Sequence, residues 1–255
     1  MPKTAIAIVV LSLGAAQPAI VGAAPSEEGA AAPEAVHWES WRAGNSVNDL
    51  PSLQRGAHNF MSYCNGCHSL QYERYQRMAD DLKIPTTVLE AQLLPPASNH
   101  LDYITSAMPS EDAALWFGKA PPDLSLIARS KGTDYIYQFL KTFYVDPTRG
   151  SGSNNLAYPN TAMPAVLSSL EGVKEATFKT EGDEKVFQHF ESTVPGTLTS
   201  AQYDDFVRDT VNFLDYVGEP VQAARRSMGK WVVAFLVLLT ALSWLLKKEY
   251  WKDVH

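Results

Sequence analysis

Cys64 and Cys67 are the two cysteines of a 255-residue chain, and His68 follows the second directly. A small secreted domain stapled by disulfides uses more cysteines, at wider spacing. A pair separated by two residues leaves three readings: a redox dithiol, half of a zinc site, or covalent haem attachment. The dithiol wants a βαβ setting, which is missing around Cys64. Zinc needs further ligands, and His58, His100 and His189 stand in no second Cys/His cluster. The histidine after Cys67 fits the third reading. In Cys64-Asn65-Gly66-Cys67-His68 two thiols can add to the vinyl groups of one haem, while the adjacent imidazole points at the iron as an axial ligand.

The ends of the chain set the compartment. Met1-Pro2-Lys3, an apolar run from Ala5 to about Ala16, and the small residues Val21-Gly22-Ala23-Ala24 predict a secretory signal peptide over 1–24. Residues 25–36, rich in Ala, Glu and Pro, predict a flexible mature N-terminus. Near the other end, Trp231 to Leu246 is sixteen residues without a charge. At about 1.5 Å per residue it covers about 24 Å of a ~30 Å hydrocarbon core. Lys230 and Lys247 can snorkel outward from its ends, and Trp231, Trp244, Tyr250 and Trp251 suit the interfacial belts. A helix over 220–248 with a transmembrane core at 231–246 is expected. Flanking basic residues are balanced, so orientation rests on the signal peptide: the body is exported and residues 249–255 form a cytoplasmic tail. Net charge is −7; Lys3 contributes +1 and residues 229–255 contribute +2, so the exported body carries −10. Such a domain repels nucleic acid and attracts a basic protein partner.

Hydrophobic spacing predicts a helix from Leu53 to about His68 and another over Glu73–Leu82. Ser110 is expected to cap a helix through Trp116. Pro121-Pro122 is expected to open a short helix reaching Arg129, with Gly132 ending it. Thr133 then caps a helix with Tyr135, Ile136, Phe139, Leu140 and Phe143 on its apolar side. Residues 145–164 are loop-like, a long irregular stretch of the kind that is usually functional. A β-hairpin is expected within 173–190. Thr199 with Gln202 forms a capping box for a helix to about Val217.

An electron-transfer haem of this type usually has a sixth protein ligand, and a methionine sulfur there raises the potential. Met61 lies on the attachment helix, Met228 at the membrane boundary, and Met78 on a helix where methionine is more often packing. Met108 and Met163 both precede a proline in irregular chain. Spacing favours Met163, 95 residues after His68, with Met108 still open.

At this point the sequence resembles the cytochrome c1 family, the haem c subunit of ubiquinol–cytochrome c reductase (respiratory complex III), in its bacterial form. The likeness runs from Leu53-Gln54-Arg55-Gly56 through the haem motif, Ser69-Leu70 and Arg74-Tyr75. It continues in Ala120-Pro121-Pro122-Asp123-Leu124-Ser125-Leu126-Ile127-Ala128-Arg129, in Phe143–Arg149, in Asn154-Asn155 and in Ala162-Met163-Pro164. It implies a mostly α, cytochrome c-like haem domain over 37–219, with long loops, a small hairpin and one C-terminal transmembrane helix. One covalent haem c is implied, with His68 and Met163 as iron ligands. Pro121 and Pro122 are placed against the haem, and Arg129 and Tyr135 at a propionate. Partners implied are a cytochrome b subunit, a Rieske iron–sulfur protein that gives the electron, a cytochrome c that receives it, and membrane lipid, in a dimeric complex. The location implied is a bacterial inner membrane, with the haem domain periplasmic. Glu111, Asp112, Glu171, Glu181, Asp183 and Glu184 are candidates for an acidic docking surface. No bond-making chemistry is expected of the chain itself. Two other readings share the haem: a stand-alone membrane-tethered cytochrome c, and a peroxidase or gas sensor with an open sixth position.

Overall fold

The structure is a computed structural model that describes residues 36–254 apart from 183. All of these lie in one compact unit, Glu34–His255. The expected signal peptide and most of the mature N-terminus fall outside the described residues.

The domain is organised by two helices far apart in sequence. Helix α1, Leu50–Tyr63, opens at Asp49, whose carboxylate accepts the Ser52 N–H at 3.1 Å, with Pro51 in the first turn where its missing N–H costs nothing. Leu53, Ala57 and Phe60 recur at four- and three-residue spacing and are buried. Its partner, a helix over Ser200–Gly218, closes the domain. The Thr199–Gln202 capping box forms at its start, with both halves present. The two helices touch at Gly56: a Cβ built there would lie 2.0 Å from the Asp209 carbonyl oxygen and 2.7 Å from the Phe213 Cβ. The contact is as polar as it is close. Arg55 donates to both oxygens of buried Asp209, at 2.5 and 3.0 Å. Asn59 reaches the Phe206 carbonyl, and buried Asn212 bonds the Ser46 carbonyl and the Ser52 hydroxyl.

Between these helices the chain is short-jointed. Strand β1, Leu70–Arg74, leads directly into α2, Tyr75–Asp81, and α3, Thr86–Val88, runs on into a π-helical turn at Leu89–Leu93. Strand β2, Tyr103–Ile104, pairs antiparallel with β1. Then come α4, Ser110–Phe117; α5, Ile127–Lys131; and α6, Thr133–Lys141. Strands β3, Phe143–Val145, and β4, Ser153–Asn155, form one antiparallel pair. Helix α7, Ser168–Glu171, precedes the long hairpin of β5, Gly172–Glu181, and β6, Glu184–Pro195. The Ser200–Gly218 helix is α8, and α9 follows at Gln222–Tyr250.

The mostly helical expectation holds, with local differences. The first helix begins three residues early and stops at Tyr63, so the haem motif lies beyond it. Glu73 is in a strand, and Phe143 opens β3 instead of closing the helix. Pro109 and Gly132, not Ser110 and Thr133, hold the cap positions, with no side-chain cap at either. Pro121-Pro122 starts no helix: the α region is disfavoured for a residue before proline, here Ala120 and Pro121, and α5 begins at Ile127. Part of the long loop is the β3–β4 pair.

Helix α9 has 29 residues, about 44 Å at ~1.5 Å each, and its most apolar window is unburied. Trp231 is 79% exposed, and Phe235, Leu238 and Leu242 are similarly bare. A surface this apolar needs a hydrocarbon solvent. Among the described residues it is the one helix long and apolar enough to cross a membrane. Glu219 sits at the α8–α9 junction, where its carboxylate takes two hydrogen bonds from Arg225, at 2.5 and 3.0 Å, and an ion pair with Arg129.

One buried acid stands out. Glu73 is 1% exposed, and the neighbour within reach is the Tyr216 hydroxyl at 3.5 Å. That hydroxyl has one proton, and Asp81 accepts it at 2.9 Å. Burial therefore pushes the Glu73 carboxyl up to about 7, with Arg77 opposing and Asp81 adding to the rise. A carboxyl raised in the fold binds its proton more tightly there than in the unfolded chain. Stability thus falls as pH rises from about 4.5 to about 7, then levels. Glu73→Gln, a neutral isostere, is expected to raise the melting temperature at pH 8 by roughly 3–10 °C and to flatten the dependence between pH 5 and 7. Parallel melting curves for the two proteins across that range would show that Glu73 is charged in the fold.

Candidate haem site

The haem motif is a turn grown from the end of α1. The Cys64 and Asn65 N–H groups both donate to the Phe60 carbonyl at 2.9 Å, so the helix ends on a bifurcated bond. The Cys67 and His68 N–H groups then both donate to the Cys64 carbonyl, at 3.0 and 2.8 Å. This winds five residues into one compact turn carrying both thiols and the imidazole. Both cysteines are free and half-buried. Burial, then the neighbouring Cys67, pushes the Cys64 thiol up to about 12, the opposite of the low value that a redox dithiol needs. Among the described residues no group of three or more His, Cys, Asp and Glu side chains could hold a metal ion, so the zinc reading finds no ligand set.

His68 is oriented from 54 residues away. Its Nδ1 lies 2.8 Å from the Pro122 carbonyl oxygen. A carbonyl can only accept, so Nδ1 carries the proton and the Nε2 lone pair is left for a ligand bond. Burial lowers the pKa of His68 and the Pro122 carbonyl partly restores it, so the neutral imidazole is favoured. The carbonyl is held in turn. Asp123 accepts the Gln71 N–H at 2.8 Å and the Ser125 N–H at 2.9 Å. Leu124 N–H donates to the Ser69 carbonyl, and Tyr72 N–H to the Ser125 hydroxyl. Asp123, Leu124 and Ser125 are thus bonded along residues 69–72, just beyond the Pro122 carbonyl. The backbone role of Pro122 and the clamp made by Asp123 escaped sequence reasoning, since carbonyl direction has no signature in a one-dimensional pattern.

The remaining candidates spread around this turn. Met163 is half-buried against the core. It also borders a hollow of about 250 Å³ with Pro164, Tyr144, Lys174 and Tyr203; Cys64, Cys67 and His68 do not line it. Met108 lies two residues beyond Ser106, whose hydroxyl donates to the Gly66 carbonyl at 2.8 Å and whose N–H donates to the Ser69 hydroxyl. That segment is tied to the attachment turn itself. Met78 is fully buried packing, and Met228 is 66% exposed on α9. Arg129 is engaged by Glu219, a protein carboxylate. Tyr135 stacks on Phe139 at 6.4 Å between ring centres. Glu171 turns inward onto Lys174 and is unsuited to docking, whereas Glu111 and Asp112 are exposed in the first turn of α4.

Two thiols in one turn and an imidazole with one nitrogen already committed fit covalent haem attachment, and with α9 they define a membrane-anchored c-type cytochrome. The profile of the Cytochrome C1 family matches residues 40–254. The chain is 47% identical over 222 residues to the cytochrome c1 of Allochromatium vinosum, covering 86% of this chain and 90% of that one. It is 42% identical over 207 residues to a protein of Nitrosomonas europaea named ammonia monooxygenase gamma subunit, covering 81% and 85%. With the cytochrome c1 of Rhodospirillum rubrum it shares 30% identity over 268 aligned positions, covering 92% and 93%. The chain belongs to the cytochrome c1 family, and its cofactor is one covalent haem c.

Proposed function

We propose that this chain is the haem-bearing electron-transfer subunit of a ubiquinol–cytochrome c reductase, taking an electron from a Rieske iron–sulfur protein and passing it to a cytochrome c. The hydrogen bond from His68 Nδ1 to the Pro122 carbonyl carries the reading, because it prepares the attachment-turn imidazole as an iron ligand. The bound haem supplies a reversible one-electron couple. The chain's residues do the rest. Cys64 and Cys67 would tether the group, and His68 and Met163 would ligate its iron. Support for Met163 over Met108 is topological: the Met108 segment is bonded to Gly66 and Ser69, beside the turn that presents His68. A ligand for the opposite face has to come from a segment that stands free of that turn. Pro121 and Pro122 would flank the haem. Arg129 and Tyr135 serve a propionate, with Arg129 shared between it and Glu219. Electron transfer calls for no nucleophile or acid–base catalyst, and the chain works as a subunit of an oxidoreductase. Helix α9 crosses a bacterial inner membrane once, among lipid and beside a cytochrome b subunit, with residues 37–219 periplasmic and 249–255 cytoplasmic after removal of residues 1–24. The complex is dimeric.

A reduced-minus-oxidised difference spectrum of the protein purified in mild detergent tests the assembly. A c-type band accompanied by b-type haem bands is the expected result. A c-type band alone, across several mild detergents, would replace this reading with the stand-alone tethered cytochrome c.

A further inference from the structure

Strand β4 breaks the ordinary pattern of a strand. Side chains should alternate between inside and outside, yet Ser153, Asn154 and Asn155 are all buried and all polar, Asn155 to 1% exposure. Buried polar groups need partners, and three of theirs are backbone amides in the segment around Met163. Asn155 Oδ1 accepts the Tyr158 N–H at 2.9 Å and the Thr142 hydroxyl at 3.2 Å, while its Nδ2 donates to the Phe139 carbonyl at 2.7 Å. Asn154 Oδ1 accepts the Asn160 N–H at 2.8 Å and the Asn155 N–H at 2.9 Å, while its Nδ2 donates to Asp146 Oδ2 at 2.9 Å. Ser153 Oγ accepts the Ala165 N–H at 3.2 Å. Three backbone amides on the two sides of Met163 are therefore pinned to one short strand. That strand is pinned in turn to the end of α6 through Phe139 and Thr142.

The segment has further local restraints. Asn160 is left-handed, with φ +64°, a conformation that asparagine tolerates better than most residues. Its carbonyl accepts from Arg149, and Thr161 Oγ1 accepts the Met163 N–H at 3.3 Å. A bare loop would have to be ordered each time the sulfur met the iron; a loop templated in advance does not.

We infer that Ser153-Asn154-Asn155 is a template that sets where the Met163 sulfur stands, with Asn154 and Asn155 as positioning residues for the sixth iron ligand. This rests on Met163 being that ligand. A purely structural role for these asparagines would lower stability without changing how the iron is ligated.

Asn154→Asp is the sharpest probe, because it keeps the acceptor for Asn160 and turns the donor that faces Asp146 into a second carboxylate oxygen. Adding Asp146→Asn returns a donor from the other side. In the full-length haem-loaded protein in detergent, the readouts are the fraction of ferrous protein that binds carbon monoxide and the midpoint potential. Asn154→Asp alone is expected to raise the carbon monoxide-binding fraction about tenfold and to lower the potential, with covalent haem content unchanged. The pair with Asp146→Asn is expected to return both to wild-type values. Wild-type readouts in the single variant, or no recovery in the pair, would overturn the inference. If Asn154→Asp yields no haem-loaded protein, Ser153→Ala decides, since it removes the template's acceptor for the Ala165 N–H; a smaller shift in the same direction supports the template, and none removes it. Met163→Leu is measured alongside. If it leaves both readouts unchanged, the ligand assignment fails; if it moves them while Asn154→Asp does not, only the template falls.

Discussion

Met163→Leu is expected to keep the haem covalently attached and yet lower the midpoint potential by on the order of 100 mV or more, since axial ligands set haem potentials over a span of about 0.8 V. Attachment depends on Cys64 and Cys67, which lie in a turn built from the end of α1 and owe nothing to the 153–165 segment. Leucine fills nearly the same volume as methionine, so the half-buried packing of residue 163 survives. What is lost is the sulfur lone pair. The ferrous variant should therefore bind carbon monoxide, which the parent is expected to exclude, and electron transfer to a cytochrome c should stop. Redox titration and a carbon monoxide difference spectrum read both. An unchanged potential with carbon monoxide still excluded would move the ligand assignment to Met108.

Gly56→Ala is expected to destabilise the domain strongly by forcing the two organising helices apart. The new Cβ would sit 2.0 Å from a backbone oxygen of Asp209 and 2.7 Å from the Phe213 Cβ, and neither atom belongs to a flexible chain end. The helices α1 and α8 would have to part. That would strain the two Arg55–Asp209 hydrogen bonds and those of Asn59 and Asn212 together. Overpacking of this kind costs about 3 kcal/mol or more, a fall in melting temperature of roughly 6–12 °C for a domain of this size. Gly150→Ala is the control: its Cβ would meet nothing within 4 Å, and its melting temperature should match the parent. Thermal unfolding followed by far-ultraviolet circular dichroism checks the pair. Equal melting temperatures for the two variants would mean that the helix crossing is looser than the structure shows.

Much of the architecture was legible in the residues, because it is decided locally. The capping box at Thr199 and the apolar stretch Trp231–Leu246 announce their helices through neighbours within one or two turns. The β5–β6 hairpin was visible from weak alternation around Glu181–Glu184, although its strands run further, from Gly172 to Pro195. Element ends were less legible. Proline at 121 and 122 was read as a helix start because proline suits a first turn. In the structure no helix starts there, and the Pro122 carbonyl faces His68 instead.

The sequence by itself determined the chemistry and the solvent of each part. Two thiols and an imidazole in five residues name a covalent cofactor, and sixteen uncharged residues name a membrane, since both are matters of composition over a short span. The tertiary structure alone decided which polar groups would be buried and what would face them. Glu73, Asp209, Asn154 and Asn155 look like surface residues in a one-dimensional pattern. Each is buried because partners 8 to 154 positions away were folded against it, among them Asp146 for Asn154 and Arg55 for Asp209. The same holds at the site: His68 gains its orientation from the Pro122 carbonyl, 54 residues on. Backbone direction and burial are set by long-range packing, so they exist only once the chain has closed on itself.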